Sequence, residues 1–271
     1  MNDAKRNQSL RITGIVILVF VAFLAVFAPY IAPYDPYAYG KPYQSPSPAH
    51  WLGTNDMGQD IFSEIIYGSR VSLAVGLTSA VVIITVGAVL GMLSGYYRGK
   101  VDAVISALIN FFMCLPSLPL TILIASYLGS GLRNMVIAIS VTSWTGTARI
   151  VRTKTLELRQ MPFIQMEKNL GVSGFRILFW HLLPNLKDIL LMRASLSVAS
   201  AMLSEASLSF LGLGILSAKS WGSTLHYAFF RSGVINGYWW WILPPIIMIS
   251  LTIMGFVFIG YYGGGKLKSG K

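Results

Sequence analysis

Charge is scarce in this sequence. Only 11% of its 271 residues are Lys, Arg, Asp or Glu, and 54% are hydrophobic. A soluble domain carries about 25% charged residues, so water is not the main solvent of this chain. Cysteine is almost missing: Cys114 is the single one, which excludes an internal disulfide and a thiolate metal site. The three histidines, His50, His181 and His226, are too far apart for a metal-ligand motif, and no metal site is expected. The acids are outnumbered, 10 against 21 bases. A net charge of +11 is compatible with nucleic acid, but the bases lie in short segments between apolar runs, so a bilayer accounts for them and no nucleic acid is expected. A nucleotide loop is missing as well. Gly260, Gly265 and Lys266 have the right spacing, but Leu267 stands where a magnesium-binding Ser or Thr is required.

Long apolar runs are what the sequence has. They cover residues 12–31, 71–97, 103–129, 134–151, 189–214 and 239–262. Each is near or above the roughly 20 residues that cross a hydrocarbon core of about 30 Å. The expected fold is therefore an all-α integral membrane protein with six transmembrane helices. The first run is longer than a signal peptide's apolar part and is expected to stay as a span. With the N-terminus inside, sixteen of the 21 bases fall on the inner side and five on the outer. That bias puts both termini in the cytoplasm. Trp51, Trp221 and Trp239–Trp241 then fall outside, as an interfacial belt would. The layout is a tail over 1–11, a six-span domain over 12–262 with an outer loop at 32–70 and a cytoplasmic loop at 152–188, and a basic tail over 263–271. Half of the 12 prolines crowd into positions 29–48, so the first part of the outer loop should be extended. Asp60 should cap a turn leading into an outer helix.

The most punctuated stretch is 161–185, MPFIQMEKNLGVSGFRILFWHLLPN. Pro162 suits a first helical turn. Phe163, Met166 and Leu170 share one helical face. Gly171 falls where a left-handed C′ residue ends a helix. Ser173 can cap a second helix, which Pro184 should stop. A short, separately capped helix in a basic loop is shaped to be gripped by a partner; the plainer reading is a loop lying on the bilayer.

Within the spans, Gly87, Gly91 and Gly95 form two overlapping GxxxG steps and predict close helix packing. Pro116 and Pro119 should bend the third span. Arg149 and Arg152 should reach the inner interface. Ser197, Ser200, Ser204 and Ser207 recur at 3, 4 and 3, a single polar face that reads either as a wall of a translocation path or as small-residue packing. Glu205 is an intramembrane carboxyl group that must face protein, water or a partner, or be protonated, and its role reads as structural before substrate-binding.

Four motifs resemble one family. The stretch at 161–185 is similar to the "EAA" loop of ATP-binding-cassette importer permeases, with Gly171 and Leu182-Leu183-Pro184-Asn185 matching and Gln165, Met166 and Glu167 departing at E-A-A. The string Leu52-Gly53-Thr54, Gly58, Asp60, Ser63, Gly68, Arg70, Ser72, Leu73 resembles the dipeptide, oligopeptide and nickel class, the shorter C-type subunit in particular. So do Trp144 with Arg149 and Arg152, and SEASLSFLGLG followed by Ser220-Trp221-Gly222. The resemblance implies alternating-access import of peptides or a nickel chelate. It implies two ATPase subunits carrying ATP and Mg, docked on Phe163, Gln165, Met166, Glu167, Lys168, Leu170 and Gly171. It also implies a second permease, an outer binding protein, surrounding lipid, and a bacterial or archaeal cytoplasmic membrane. This chain would hold no cofactor and catalyse nothing. A channel subunit or a membrane-embedded enzyme without ATPase coupling are the alternatives.

Overall fold

The computed structural model describes residues 2–263 and is helical almost throughout, with no strand among the described residues. Lys266, Lys268 and Lys271 of the expected basic tail lie outside them. Helix α1 (Asn2–Val26) is followed by a single turn, α2 (Ala28–Ile31), and then by non-helical chain as far as Asp60. Asp60 caps α3 (Ile61–Tyr97): its Oδ2 accepts from Ser63 N–H at 2.8 Å, and its Oδ1 meets His50 Nδ1 at 2.9 Å. The span therefore starts ten residues before its apolar run, and the expected outer helix is simply the head of α3.

The third run is not one span. It divides into α4 (Gly99–Cys114) and α5 (Ser117–Leu128), which meet at 93°. Pro116 holds extended backbone at that corner, with φ −65° and ψ 116°, so the expected bend is a break. Helix α6 (Leu132–Arg159) carries the fourth run and continues past it for two turns. The short α7 (Pro162–Asn169) and α8 (Gly174–Arg176) follow.

Pro184 does not stop the second loop helix. From α8 the chain passes through a π-helical turn (Ile177–Leu182) straight into α9 (Leu183–Leu208), and through a second π turn (Ser209–Leu213) to its end. A π turn widens the helix by one residue, which relieves the clash between a proline ring and the preceding carbonyls. The result is a helical run, Gly174–Leu213, of 40 residues, kinked near its outer end at left-handed Gly212 (φ +84°, ψ 7°). The fold closes with α10 (Trp221–Phe230) and α11 (Trp239–Gly263).

Four elements are long and apolar enough to cross a membrane: Arg6–Val26, Ile61–Tyr97, Gly174–Leu213 and Trp239–Gly263, with the bent α4–α5 pair a fifth. The sixth expected span lies in α6. At 28 residues, or about 42 Å, α6 is long enough, but Ser140, Thr142, Thr145 and Thr147 make it polar. Those four side chains are buried inside the bundle, not in lipid.

Helix α3 is the hub, packing against α1, α4, α6, α9, α10 and α11. Its closest partner is α6, and Gly87, Gly91 and Gly95 make the seam. A Cβ built on them would sit 2.7 Å from Thr147 Cβ, 2.6 Å from the Ala148 carbonyl and 2.7 Å from Thr155 Cβ. At the inner end Arg152 forks onto Asp102 of α4, Nε to Oδ1 at 2.6 Å and Nη2 to Oδ2 at 2.8 Å, beside Ser94 of α3. Two apolar clusters flank the seam. One, toward the outer loop, holds Val21, Ile61, Trp221 and Trp241; the other, at the inner end, holds Met92, Tyr96, Ile164, Leu182 and Leu186. Trp221 and Trp241 are thus core residues, not members of the expected aromatic belt, whereas Trp51 and Trp239 are exposed.

The seam leaves no room for a side chain against backbone. Gly91→Leu should push α6 off α3 and cost about 1–3 kcal/mol. The thermal midpoint of the detergent-solubilised protein should fall by several degrees in scanning fluorimetry; an unchanged midpoint would show that the helices do not meet here.

Candidate docking helix and translocation face

The geometry of α7 follows from its caps. Pro162 opens it and Gly171 closes it at φ +76°. Gly171 N–H donates to the Lys168 carbonyl and Val172 N–H to the Glu167 carbonyl, both at 3.1 Å, which is the paired bonding of a Schellman end. Its inner face is fastened to the rest of the chain at three points. Ile164 is 1% exposed within the inner apolar cluster. Gln165 Nε2 donates to the Arg159 carbonyl at 2.8 Å. Glu167 Oε2 meets His181 Nε2 at 3.0 Å, which ties α7 to the first π turn. The outer face is the one marked by sequence spacing, and it is uncovered: Phe163, Met166 and Leu170 are 41%, 63% and 75% exposed. Lys168 is exposed beside them.

At the other end of the molecule the outer loop is locked by buried polar bonds. Lys219 Nζ reaches Glu64 Oε1 at 2.6 Å and Gln59 Oε1 at 2.7 Å, and lies under 6 Å from the Tyr37 and Tyr227 rings (5.7 and 5.8 Å). Asn55 Nδ2 donates to the same two oxygens, each at 2.9 Å. Trp221 is held by its Nε1–H on the Ile65 carbonyl at 2.9 Å, and Gly68 leaves the space its ring occupies. A cavity of about 260 Å³ lies between this lock and the second π turn, lined among others by Tyr37, Met57, Gly212 and His226.

The serine face of α9 is mixed in exposure. Ser197 is buried, Ser204 and Ser207 are half-buried, and Ser200 is exposed. Ser200 and Ser207 return their hydroxyls to the Ser197 and Leu203 carbonyls, at 3.1 and 2.8 Å. Glu205 does not join them. It is 1% exposed, turned toward α3, and accepts from Ser72 Oγ at 3.0 Å and Ser209 Oγ at 2.7 Å. Its carboxylate has protein donors in place of water, which is how an intramembrane charge is tolerated, and it has no access to the serine face.

Residues 87–229 match the family described as the binding-protein-dependent transport system inner membrane component, and residues 6–50 match the N-terminal TM domain of oligopeptide transport permease C. The chain belongs to this permease family. It is 34% identical to the dipeptide transport system permease protein DppC of Bacillus subtilis (strain 168), over 94% of this chain and 80% of that one. It is 36% identical to the glutathione transport system permease protein GsiD of Pectobacterium atrosepticum, over 91% and 82%. Among solved structures, an inward-facing MetNI methionine ABC transporter shares the fold, with a TM-score of 0.61 at 19% identity over 73% of this chain and 93% of that one.

The permease is thus a non-catalytic transport subunit of an importer, and its sequence motifs take on separate physical duties. Of the residues expected at the docking site, Phe163, Met166, Lys168 and Leu170 face outward, Gln165 is exposed but tied to the Arg159 carbonyl, Gly171 is the cap, and Glu167 is half-buried in the tie to His181. His181 and Ile164 were not marked by spacing. His181 is 14 residues beyond Glu167, and no local pattern joins them. The Lys219–Glu64 pair spans 155 positions and has no sequence signal either.

That pair gives a direct test. Lys219→Met leaves Glu64 buried without its cation, and such losses cost about 3–5 kcal/mol. Lys219→Met should lower the permease's thermal midpoint sharply, and adding Glu64→Gln should restore most of the loss. Failure of the double variant to recover would mean that the ion pair is not what holds the loop.

Proposed function

We propose that this permease is one of two transmembrane subunits of an ATP-binding-cassette importer of short peptides in a bacterial or archaeal cytoplasmic membrane, with both termini in the cytoplasm. The curated relatives named above are permeases for a dipeptide and for glutathione, itself a short peptide. The sixteen-to-five bias of basic residues supports the orientation. A homologous second permease completes the path, and an outer binding protein delivers substrate. Two ATPase subunits hold ATP and Mg; this chain carries no cofactor.

The observation that carries the reading is the mounting of α7. Its apolar face is free, while Ile164, Gln165 and Glu167 fix its other face to α6 and to the head of the 40-residue helical run. A partner that grips Phe163, Met166 and Leu170 therefore moves a lever on the order of 60 Å long. ATP binding draws the ATPases together; α7 follows, and α6 and α9 follow α7. A floppy loop would absorb that displacement. The path itself we assign to the serine face of α9, with Ser200 exposed, Ser204 and Ser207 half-buried and Ser197 buried at its inner end, against the second permease. Glu205, from its position, holds α9 to α3 and takes no part in binding.

Gly171→Val tests the coupling. No atom lies within 4 Å of a Cβ there, so the change acts through the left-handed backbone alone, a strain of about 1–2 kcal/mol. The complex should still assemble, while peptide uptake into proteoliposomes falls about tenfold per ATP hydrolysed. Uptake at the wild-type rate and stoichiometry would show that the capped shape is not needed. In the same assay, Met166→Asp should cost the complex its ATPases on co-purification; retention of both would place the docking surface elsewhere.

A further inference from the structure

Arg193 lies in α9 and is not used by anything described so far. It falls four residues before Ser197, in step with the serine face, so that 193, 197, 200, 204 and 207 form one continuous helical stripe. Its guanidinium rests over α6 at Gly146, where Nη2 is 3.2 Å from the position a Cβ would take. The depth of this contact can be measured along α3. Gly87 packs on Trp144 and Thr147, the neighbours of Gly146, and lies ten residues before Tyr97 at the inner end of α3. The guanidinium is therefore about 15 Å in from that end and not at the interface.

No carboxylate among the described residues pairs with Arg193, and its Nε is buried with no hydrogen-bond partner. Gly146 is the residue that leaves its head this space, and Tyr261 of α11 is its ionisable neighbour. One turn toward the cytoplasm, Arg149 of α6 is exposed, its guanidinium touching only Met113 Sδ at 3.9 Å. Among the described residues, neither Arg193 nor Arg149 has an acidic partner. An unpaired arginine inside a membrane is costly, and such residues mark binding paths and buried partners.

We propose that Arg193 is a substrate-binding residue that takes the terminal carboxylate of a peptide in transit, at the cytoplasmic end of the serine stripe. The chemistry matches. A guanidinium offers parallel N–H donors to a carboxylate in a two-point contact that an ammonium cannot reproduce. The hydroxyls of Ser200 and Ser207, already satisfied by their own helix, line the approach without holding the substrate tightly. Arg149 draws the carboxylate inward once Arg193 lets go. This inference rests on the peptide-import reading.

The test uses the full complex in proteoliposomes, with both permeases, the ATPases and the binding protein. Alanyl-phenylalanine is supplied as the free acid and as its C-terminal amide, and the ratio of uptake rates is read for each variant. The binding protein is the same throughout, so its own preference cancels between variants. The wild type should favour the free acid. Arg193→Gln should reduce that preference at least tenfold, chiefly through slower uptake of the acid. Arg193→Lys, which keeps the charge without the fork, should reduce it several-fold, and it serves as the test if Arg193→Gln does not assemble. An unchanged preference in the variants overturns the assignment. So does an equal loss for acid and amide, or a loss repaired by removing a carboxylate of the second permease, which would make Arg193 a subunit contact. If the wild-type complex hydrolyses ATP in response to its binding protein but imports neither peptide, the peptide reading itself is wrong, a failure distinct from that of Arg193.

Discussion

The contact between α3 and α6 is the constraint on which the rest depends. In lipid, apolar burial does not drive helices together, so association rests on close backbone approach and on satisfied polar groups. The three glycines at 87, 91 and 95 provide the first. They let α6, the most polar of the long helices, bury Ser140, Thr142, Thr145 and Thr147 against the hub and present its remaining side elsewhere. Without that seam α6 would expose a row of hydroxyls to hydrocarbon. With it, α3 packs against both α6 and α9, and the position of every other element is measured from this core.

Each end of the hub is then secured by charges that have little water near them. Toward the outer loop, Lys219, Glu64, Gln59 and Asn55 form one network that fastens the loop of 32–60 to the chain between the second π turn and α10. At the inner end, Arg152 and Asp102 bind α6 to α4, with Ser94 of α3 beside them. Both are paired and hydrogen-bonded, as buried charges must be. Breaking one partner is far worse than never having had either. The locks therefore act less as sources of stability than as devices that specify one arrangement.

Between the two ends runs a long helix that is not uniform. The π turns at Ile177–Leu182 and Ser209–Leu213 flank α9, and each adjoins a group with a distinct duty. The first adjoins Pro184 and carries His181, the tie to α7. The second carries Ser209, a ligand of Glu205, and a left-handed Gly212 at φ +84°. Widened turns bend more readily than α-helix, so α9 is a stiff rod mounted on two softer joints. That arrangement suits a part displaced at one end and read out at the other.

Much of this was present in the order of residues. Apolar runs of sufficient length, the asymmetry of basic residues, the GxxxG steps and the Pro162–Gly171 punctuation are local or periodic features. Each acts through the backbone or the bilayer without reference to distant residues, so membrane character, helical class and the short capped helix α7 were legible. Tertiary structure alone decided the rest. It turned the 103–129 run into a corner, carried Pro184 through a helix, withdrew Trp221 and Trp241 into the core, and turned Glu205 away from the serine face. It also joined Glu167 to His181 and Glu64 to Lys219. The reason is the same in every case: these outcomes depend on which side chain lies opposite across a helix interface, and a linear sequence does not contain that pairing until the helices have packed.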